Sequence, residues 1–338
     1  MKSHELSQIS HKRIELHEAV PLSTPLVVYI EPSGYCNLKC GFCPVGIEGD
    51  QLKKALMSYE LFVKLIDDLA AFPSKVKLLR ICGNGDPLLN KDLVPMLRYA
   101  RERGFAERIE MLSNGLLLNE DLIRQLPKVL DRLIISIEGL NAADYLETCG
   151  TRMDFEAFTN KLHALYQTRD ACRIHLKIHH GAIKSEGDEE AFRTLVEPCS
   201  DEHYIEKLVP MWPELDSELF SHEFRWENAP IKSRQVCAQI FKGLQVQADG
   251  EVVPCCVDWK RVNLLGDLHH HSLSEIWKGD RLKRLQIQHL SGRKPELNPC
   301  QNCTMNDYCE YDDLDEHAEL CLQRLQYELD PSKFQQKQ

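Results

Sequence analysis

At 338 residues, with 28% charged and 43% hydrophobic side chains, the chain has the composition of an ordinary folded globular protein, not a disordered or fibrous one. A formal net charge of −11 argues against nucleic acid or an anionic membrane as partner, since both reward basic patches. No apolar run approaches the ~20 residues of a transmembrane helix. Met1 to Glu15 lack the apolar centre of a secretory signal, so the fourteen cysteines point to thiols and metal centres in a reducing cytoplasm.

In chain order, residues 1–24 read as an irregular or helical arm, and Val27 to Ile30 as the first strand. Ser58 is a helix N-cap, followed by the stripe Leu61, Phe62, Leu65, Ile66, Leu69. Further strands are expected at 76–82, 108–112, 132–138, 173–180 and 204–211, with helices between them at 91–103, 119–126, 154–168 and 187–197. This alternation predicts an α/β fold with a parallel sheet of six strands and right-handed crossovers. Residues 214–236 read as an acidic, aromatic linker.

The chemistry-bearing motifs sit at strand ends. Cys36, Cys40 and Cys43 form a C-x3-C-x2-C loop after the first strand. Three such thiolates can hold three corners of a [4Fe–4S] cluster, leaving one iron open; the C-x2-C pair alone also suits half of a zinc site or a disulfide. Gly83-Asn84-Gly85-Asp86-Pro87 ends the second strand, Ser113-Asn114-Gly115 the third and Ser136-Ile137-Glu138-Gly139 the fourth. On the fifth strand His175, Lys177 and His179 share one face and Ile174, Leu176 and Ile178 the other. A polar face on a parallel strand implies a lined cavity. The same period groups Arg80 with Cys82, Glu110 with Asn114, Ser136 with Glu138, and Tyr29 with Glu31.

A second set of cysteines follows: Cys237, Cys255 and the pair Cys300, Cys303. Leu244 to Val253 reads as a hairpin turning at Asp249-Gly250. Cys256 alternates to the other face from Cys255, as a core thiol or a hydrogen-atom donor. Cys309 follows after five residues. Cys321 lies on the stripe Leu314, Ala318, Cys321, Leu325 of a terminal helix, where a buried thiol is the usual reading.

The cysteine loop, with Phe42 before its third cysteine, and the ordered strand-end motifs resemble the radical S-adenosylmethionine (SAM) enzymes. The order Cys237, Gly250, Cys255, Cys300, Cys303 resembles their SPASM/twitch extension. The resemblance implies a partial (β/α)6 barrel over 25–213, a small α+β cluster domain over 237–328 and a tail at 329–338. It implies a SAM-binding [4Fe–4S] cluster on Cys36, Cys40 and Cys43, with SAM held by Phe42, Gly83, Asn84, Gly85, Asp86, Asn114 and Ser136. Asn84 and Asp86 depart from the Gly-Gly-Glu-Pro pattern. One auxiliary [4Fe–4S] cluster on Cys237, Cys255, Cys300 and Cys303 is preferred to two. The two-cluster pattern would draw on Cys309 and Cys321 but lacks a cysteine where Asp313 stands.

The implied chemistry is cleavage of SAM to a 5′-deoxyadenosyl radical, which abstracts hydrogen from a small-molecule substrate. An electron donor such as flavodoxin or ferredoxin would supply the electron. The leading expectation is a dehydrogenase or epimerase of a sugar-like or aminocyclitol-like metabolite, with Glu110, Glu138, Lys177 or His179 as base and Cys256 as the thiol. Peptide maturation is an alternative, disfavoured by the 35 residues before Cys36; a non-catalytic iron–sulfur or zinc protein is another.

Overall fold

The computed structural model describes residues 14–212, 215, 217–222, 231–309 and 312–329. Six strands alternate with helices as the sequence predicts: β1 (Val27–Ile30), β2 (Leu78–Ile81), β3 (Ile109–Ser113), β4 (Arg132–Ile137), β5 (Arg173–His179) and β6 (Glu202–Glu206). All neighbouring pairs among them are parallel. Their outward residues, such as Val28, Ile30, Leu79, Ile81, Met111, Leu133 and Ile135, are almost fully buried under the helices. Ser58 caps helix Tyr59–Asp68 by accepting from Leu61 N, and Gly104, at φ 65°, closes helix Leu93–Arg103.

Three local readings are corrected. The sixth strand is 202–206, not 204–211, because β6 is an edge whose only neighbour, β5, ends with His179 paired to Glu206. The second begins at Leu78, residue 76 making only an isolated bridge to Ala106. An unpredicted helix, Ala142–Cys149, stands between β4 and the helix Phe155–Gln167. It is too short to show a stripe, and its signals are its caps: Asn141 accepts from Ala143 N and Asp144 N, and Gly150 takes φ 63°.

The C-terminal part does not stand apart from the barrel sheet. After helix Gln239–Lys242, β7 (Gly243–Val246) pairs in parallel with β1, Val27 opposite Gly243 and Ile30 opposite Val246. β8 (Glu251–Val253) and β9 (Gly266–Asp267) follow antiparallel, with Gly250 at φ 88° in the hairpin turn. One open nine-stranded sheet results, in the order β6-β5-β4-β3-β2-β1-β7-β8-β9. A single apolar cluster runs from Leu16 and Val20 through the barrel helices to Ile276, Trp277, Leu282 and Leu325. Among the described residues no helix is long and apolar enough to cross a membrane.

Candidate active site

The cysteine loop leaves β1 and is tied to the end of helix Ala142–Cys149. Lys39 N donates to Cys149 O (2.9 Å) and Gly41 N to Thr148 O (3.0 Å). Cys36 Sγ accepts from Leu38 N at 3.4 Å and faces Asn114 Nδ2 at 3.8 Å. Cys40 Sγ lies 3.5 Å from Cys149 Sγ. Cys36, Phe42 and Cys43 pack around Leu38, Cys40 and Cys149 in one small apolar cluster. Burial pushes the Cys36 thiol up to about 11 and Cys43 up to about 12, while contact with Cys149 and burial raise Cys40. Thiols so destabilised as anions gain most from a bound cationic centre, which deprotonates them outright. The donor set therefore fits a cluster bound through three cysteines. Each of the three would ligate a different iron of such a cluster, so they need not converge on one point, and among the described residues no three His, Cys, Asp or Glu side chains do.

The second motif forms a shelf beside this loop. A Cβ on Gly85 would lie 2.2 Å from Ser33 O and 2.4 Å from Tyr35 O, and Asp86 N donates to Tyr35 O at 2.8 Å. Only glycine admits that close backbone approach. The Asp86 carboxylate is engaged on the protein, accepting from Ser113 Oγ, Asn114 N (2.8 Å) and Leu88 N (2.9 Å). It braces two strand ends. Asn84 N donates to Glu31 Oε2 at 2.6 Å. Burial raises Glu31 to about 7, against the pull of that N–H and of Arg261. Asn114 Nδ2 donates to Asn37 Oδ1 at 2.9 Å, linking the third strand end to the loop.

Strand register sets the grouped polar residues side by side. Tyr29, Arg80, Glu110 and Arg132 form one row; Ser136, Lys177 and Tyr204 a second; His179 and Glu206 a third pairing beyond it. Two expected bases are corrected. Glu110 is 1% exposed and meets Arg108 Nε (2.7 Å), Arg132 Nη1 (3.2 Å) and Arg80 Nη2 (3.6 Å), so its charge is spent on a three-arginine network. Lys177 is ion-paired with Glu206. Burial alone would lower its pKa, but Glu206 and Tyr204 overcome that and keep it an ammonium.

Two of the expected groups remain apt for proton chemistry. Burial raises Glu138 to about 7, with Lys177 opposing and Glu206 adding to the shift. His179 is lowered to about 4 by burial, lies 3.8 Å from Glu138 Oε2, and packs its ring 4.9 Å from that of Phe42. The cysteine loop and these side chains thus share one space.

The auxiliary cysteines meet as expected. Cys237, Cys255, Cys300 and Cys303 line one small cavity, whose other walls mix apolar residues such as Ile240, Pro254 and Val257 with polar ones such as Asp258, Asn263 and Lys294. Burial and the neighbouring thiols raise Cys255 well above its ordinary value. Four partly buried thiols around one cavity fit a four-thiolate cluster. Cys256 does not line that cavity; it lies within electrostatic reach of Arg80, Tyr29 and Cys82 and also of Cys237, Cys255 and Cys303.

Cys321 is the buried core thiol that its helix stripe suggests and not the cluster ligand that a two-cluster pattern would make it: it is fully buried in the main core, with Sγ facing His17 O at 3.9 Å, and does not line the four-cysteine cavity. Cys309 ends helix Met305–Cys309, and its side chain lies outside the described residues. Asp313, where the two-cluster pattern has a cysteine, pairs with Lys232 and lies 3.7 Å from Arg234 Nε.

Sequence reading passed over Cys149, Tyr204, Glu206 and His289. Cys149 lies far along the chain from the thiol it touches, and Tyr204 and Glu206 lie on the strand whose bounds were misplaced. His289 occupies the last turn of helix Asp280–Leu290, is 0% exposed, lines the four-cysteine cavity and accepts from Cys237 N at Nδ1 (3.3 Å).

Residues 30–191 match the Radical SAM superfamily model, and residues 237–304 match the SPASM iron–sulfur cluster-binding domain. The tungsten-containing aldehyde ferredoxin oxidoreductase cofactor-modifying protein of Pyrococcus furiosus is 26% identical over 325 residues, 84% of this chain and 88% of that one. The Fe-coproporphyrin III synthase of Methanosarcina barkeri is 33% identical over 140 residues, 41% of this chain and 33% of its own length. Among solved structures, anSMEcpe with bound AdoMet aligns at TM-score 0.59 and 14% identity, over 90% of this chain and 94% of that one. BtrN in complex with AdoMet and 2-DOIA aligns at 0.53 and 18%, over 82% and 92%. SuiB of Streptococcus suis aligns at 0.55 and 16%, over 90% and 76%. A radical SAM domain binds a [4Fe–4S] cluster and SAM, and a SPASM domain holds auxiliary iron–sulfur centres. The three-thiol loop, the glycine shelf and the four-thiol cavity are therefore parts of a radical SAM enzyme with a SPASM extension, and the chain belongs to that superfamily.

Proposed function

We propose that the chain is a radical SAM dehydrogenase of a small, hydroxyl-rich metabolite. The observation that carries this reading is the split of two adjacent thiols. Cys255 lines the four-cysteine cavity, while Cys256 is within electrostatic reach both of Tyr29, Arg80 and Cys82 and of the auxiliary Cys237 and Cys303. This adjacent pair supports a substrate space that lies next to the auxiliary site. When bound, SAM on its cluster supplies a 5′-deoxyadenosyl radical for hydrogen abstraction, and the auxiliary cluster supplies an acceptor for one further electron.

The chain's own residues do the rest. Oxidation of a carbinol also needs a base for the hydroxyl proton, and Glu138, near 7 and facing Lys177, meets that need at neutral pH. Lys177, Glu206, Tyr204 and Tyr29 offer donors and acceptors that match several hydroxyls. The chain takes its reducing electron from a small protein such as flavodoxin or ferredoxin. BtrN, in complex with 2-DOIA, supports a small polar substrate; the P. furiosus relative, named for cofactor modification, supports a low-molecular-weight one.

A second reading, epimerisation, is favoured by one observation: burial holds Cys256 as a thiol, the form that donates a hydrogen atom. Cys256→Ser separates the two. A dehydrogenase keeps most of its turnover, whereas an epimerase still cleaves SAM but makes no product. In D2O, deuterium fixed at the reacting carbon of wild-type product would overturn the dehydrogenase.

A further inference from the structure

Among the described residues, His289 is the one histidine that lines the auxiliary cavity, and it is buried. Its Nδ1 accepts a hydrogen bond from Cys237 N at 3.3 Å. A ring nitrogen that accepts carries no hydrogen, so the proton of the neutral ring sits on Nε2. Nε2 has no hydrogen-bond partner among the described residues, although the side chain is 0% exposed. A buried N–H without a partner costs about 1–3 kcal/mol, a cost that persists in folded proteins where something absent from the chain satisfies it. The ring lines the same cavity as Cys237, Cys255, Cys300 and Cys303.

We infer that His289 is a positioning residue for the auxiliary cluster, donating Nε2–H to a sulfur of the four-cysteine site while its Nδ1 fixes the backbone of Cys237. The inference rests on the ligand set proposed above. Hydrogen bonds to cluster sulfurs are among the determinants of reduction potential. The donor stabilises the more negative, reduced state more than the oxidised one, so its loss lowers the potential. It also keeps the imidazole from serving as an iron ligand, because a protonated nitrogen has no lone pair to offer and Nδ1 is engaged by Cys237 N.

The test uses the full-length, reconstituted Cys36/Cys40/Cys43→Ala protein, in which only auxiliary iron remains. Iron content comes first: a protein without iron would refute the four-cysteine assignment itself, a failure distinct from that of the histidine. With iron present, EPR-monitored titration is compared for His289 intact, His289→Asn and His289→Gln. Asn keeps an acceptor for Cys237 N but cannot reach as the Nε2 donor; Gln keeps that donor. The Asn change is expected to make reduction about tenfold less favourable, ~59 mV for one electron, and the Gln change to restore most of it. Equal potentials in all three overturn the inference. Pulsed EPR of the His289-intact protein with 15N-histidine does not depend on the variants folding. A weak nitrogen coupling with one exchangeable proton is expected. No coupling, or one of the size of direct iron–nitrogen bonding, overturns it.

Discussion

Glu138 shows how burial and neighbours set the working state of one side chain. Its carboxyl, ordinarily near 4.5, is raised to about 7, first by burial and then by Glu206, with Lys177 opposing. A carboxyl raised on folding stabilises the fold while it stays protonated. Its contribution is fully present below pH 4.5 and is lost as pH rises through 7. Burying it should therefore make the cluster-free protein less stable at pH 8 than at pH 5, by on the order of 2–3 kcal/mol. Glu138→Gln should flatten that slope in denaturant titrations across pH; an unchanged slope would assign the effect to Glu31, raised to about 7 by its own burial. In the loaded enzyme the same substitution should leave SAM cleavage intact and remove product formation.

The site was legible to different depths at this scale. Cysteine spacing is local and survives reading, so the two thiol sets were identifiable from the chain. The charge state of Lys177 was not, since its partner Glu206 comes from a neighbouring strand. Glu110 was equally opaque, because Arg80 and Arg132 reach it from the two neighbouring strands.

Among elements, the segment around Asp312–Asp315 is the most telling. Asp315 accepts from Gln235 N (3.0 Å) and Val236 N (2.9 Å), Asp307 accepts from Arg234 N (2.9 Å), and Asp313 pairs with Lys232. These carboxylates clasp the backbone that leads directly into Cys237. Asp313 alone stands where a two-cluster extension would place a further thiolate, and a single auxiliary cluster predicts about eight irons per loaded chain, to be checked by iron analysis. Asp315→Ala leaves two backbone N–H groups without their acceptor, at a cost of about 1–3 kcal/mol. The expected outcome is a lower melting temperature and faster release of auxiliary iron to a chelator, with the radical cluster unaffected. Equal loss from both clusters would mean that the clasp serves general stability and not Cys237.

The βα alternation was readable because each outward strand face is continuously apolar and each long helix carries a stripe. The helix Ala142–Cys149 was not readable, having only its caps to announce it. The attachment of β7 to β1 carried no local signal either, since Val27 and Gly243 lie in distant parts of the chain.

On the scale of the whole molecule, that attachment makes the auxiliary region part of the barrel sheet. Leu26 N donates to Lys242 O at 2.7 Å and Glu31 N to Val246 O at 2.9 Å, extending the ladder at both ends of β1. Helix Leu273–Trp277 adds a second tie, Leu273 N to Asp68 Oδ2 (2.9 Å) and Trp277 Nε1 to Leu22 O (3.0 Å). Residues 1–236 expressed alone should therefore fail as an independent barrel. They would expose the β1 edge and the apolar faces that Leu244, Ile276 and Trp277 cover. Sedimentation of that fragment is expected to show aggregates, and a soluble monomer that binds iron at Cys36, Cys40 and Cys43 would refute the point.

The same pairing has a consequence in time. A ribosome releases β1 near the start of synthesis and β7 only after all six barrel strands have emerged. The strand that carries the cysteine loop thus waits, with one edge bare, for a partner made last. Contacts so distant along the chain form slowly, and a nascent protein in this state needs protection from its neighbours. Delivery of iron to the loop after Ile30 should accordingly follow release of the finished chain, not accompany its translation.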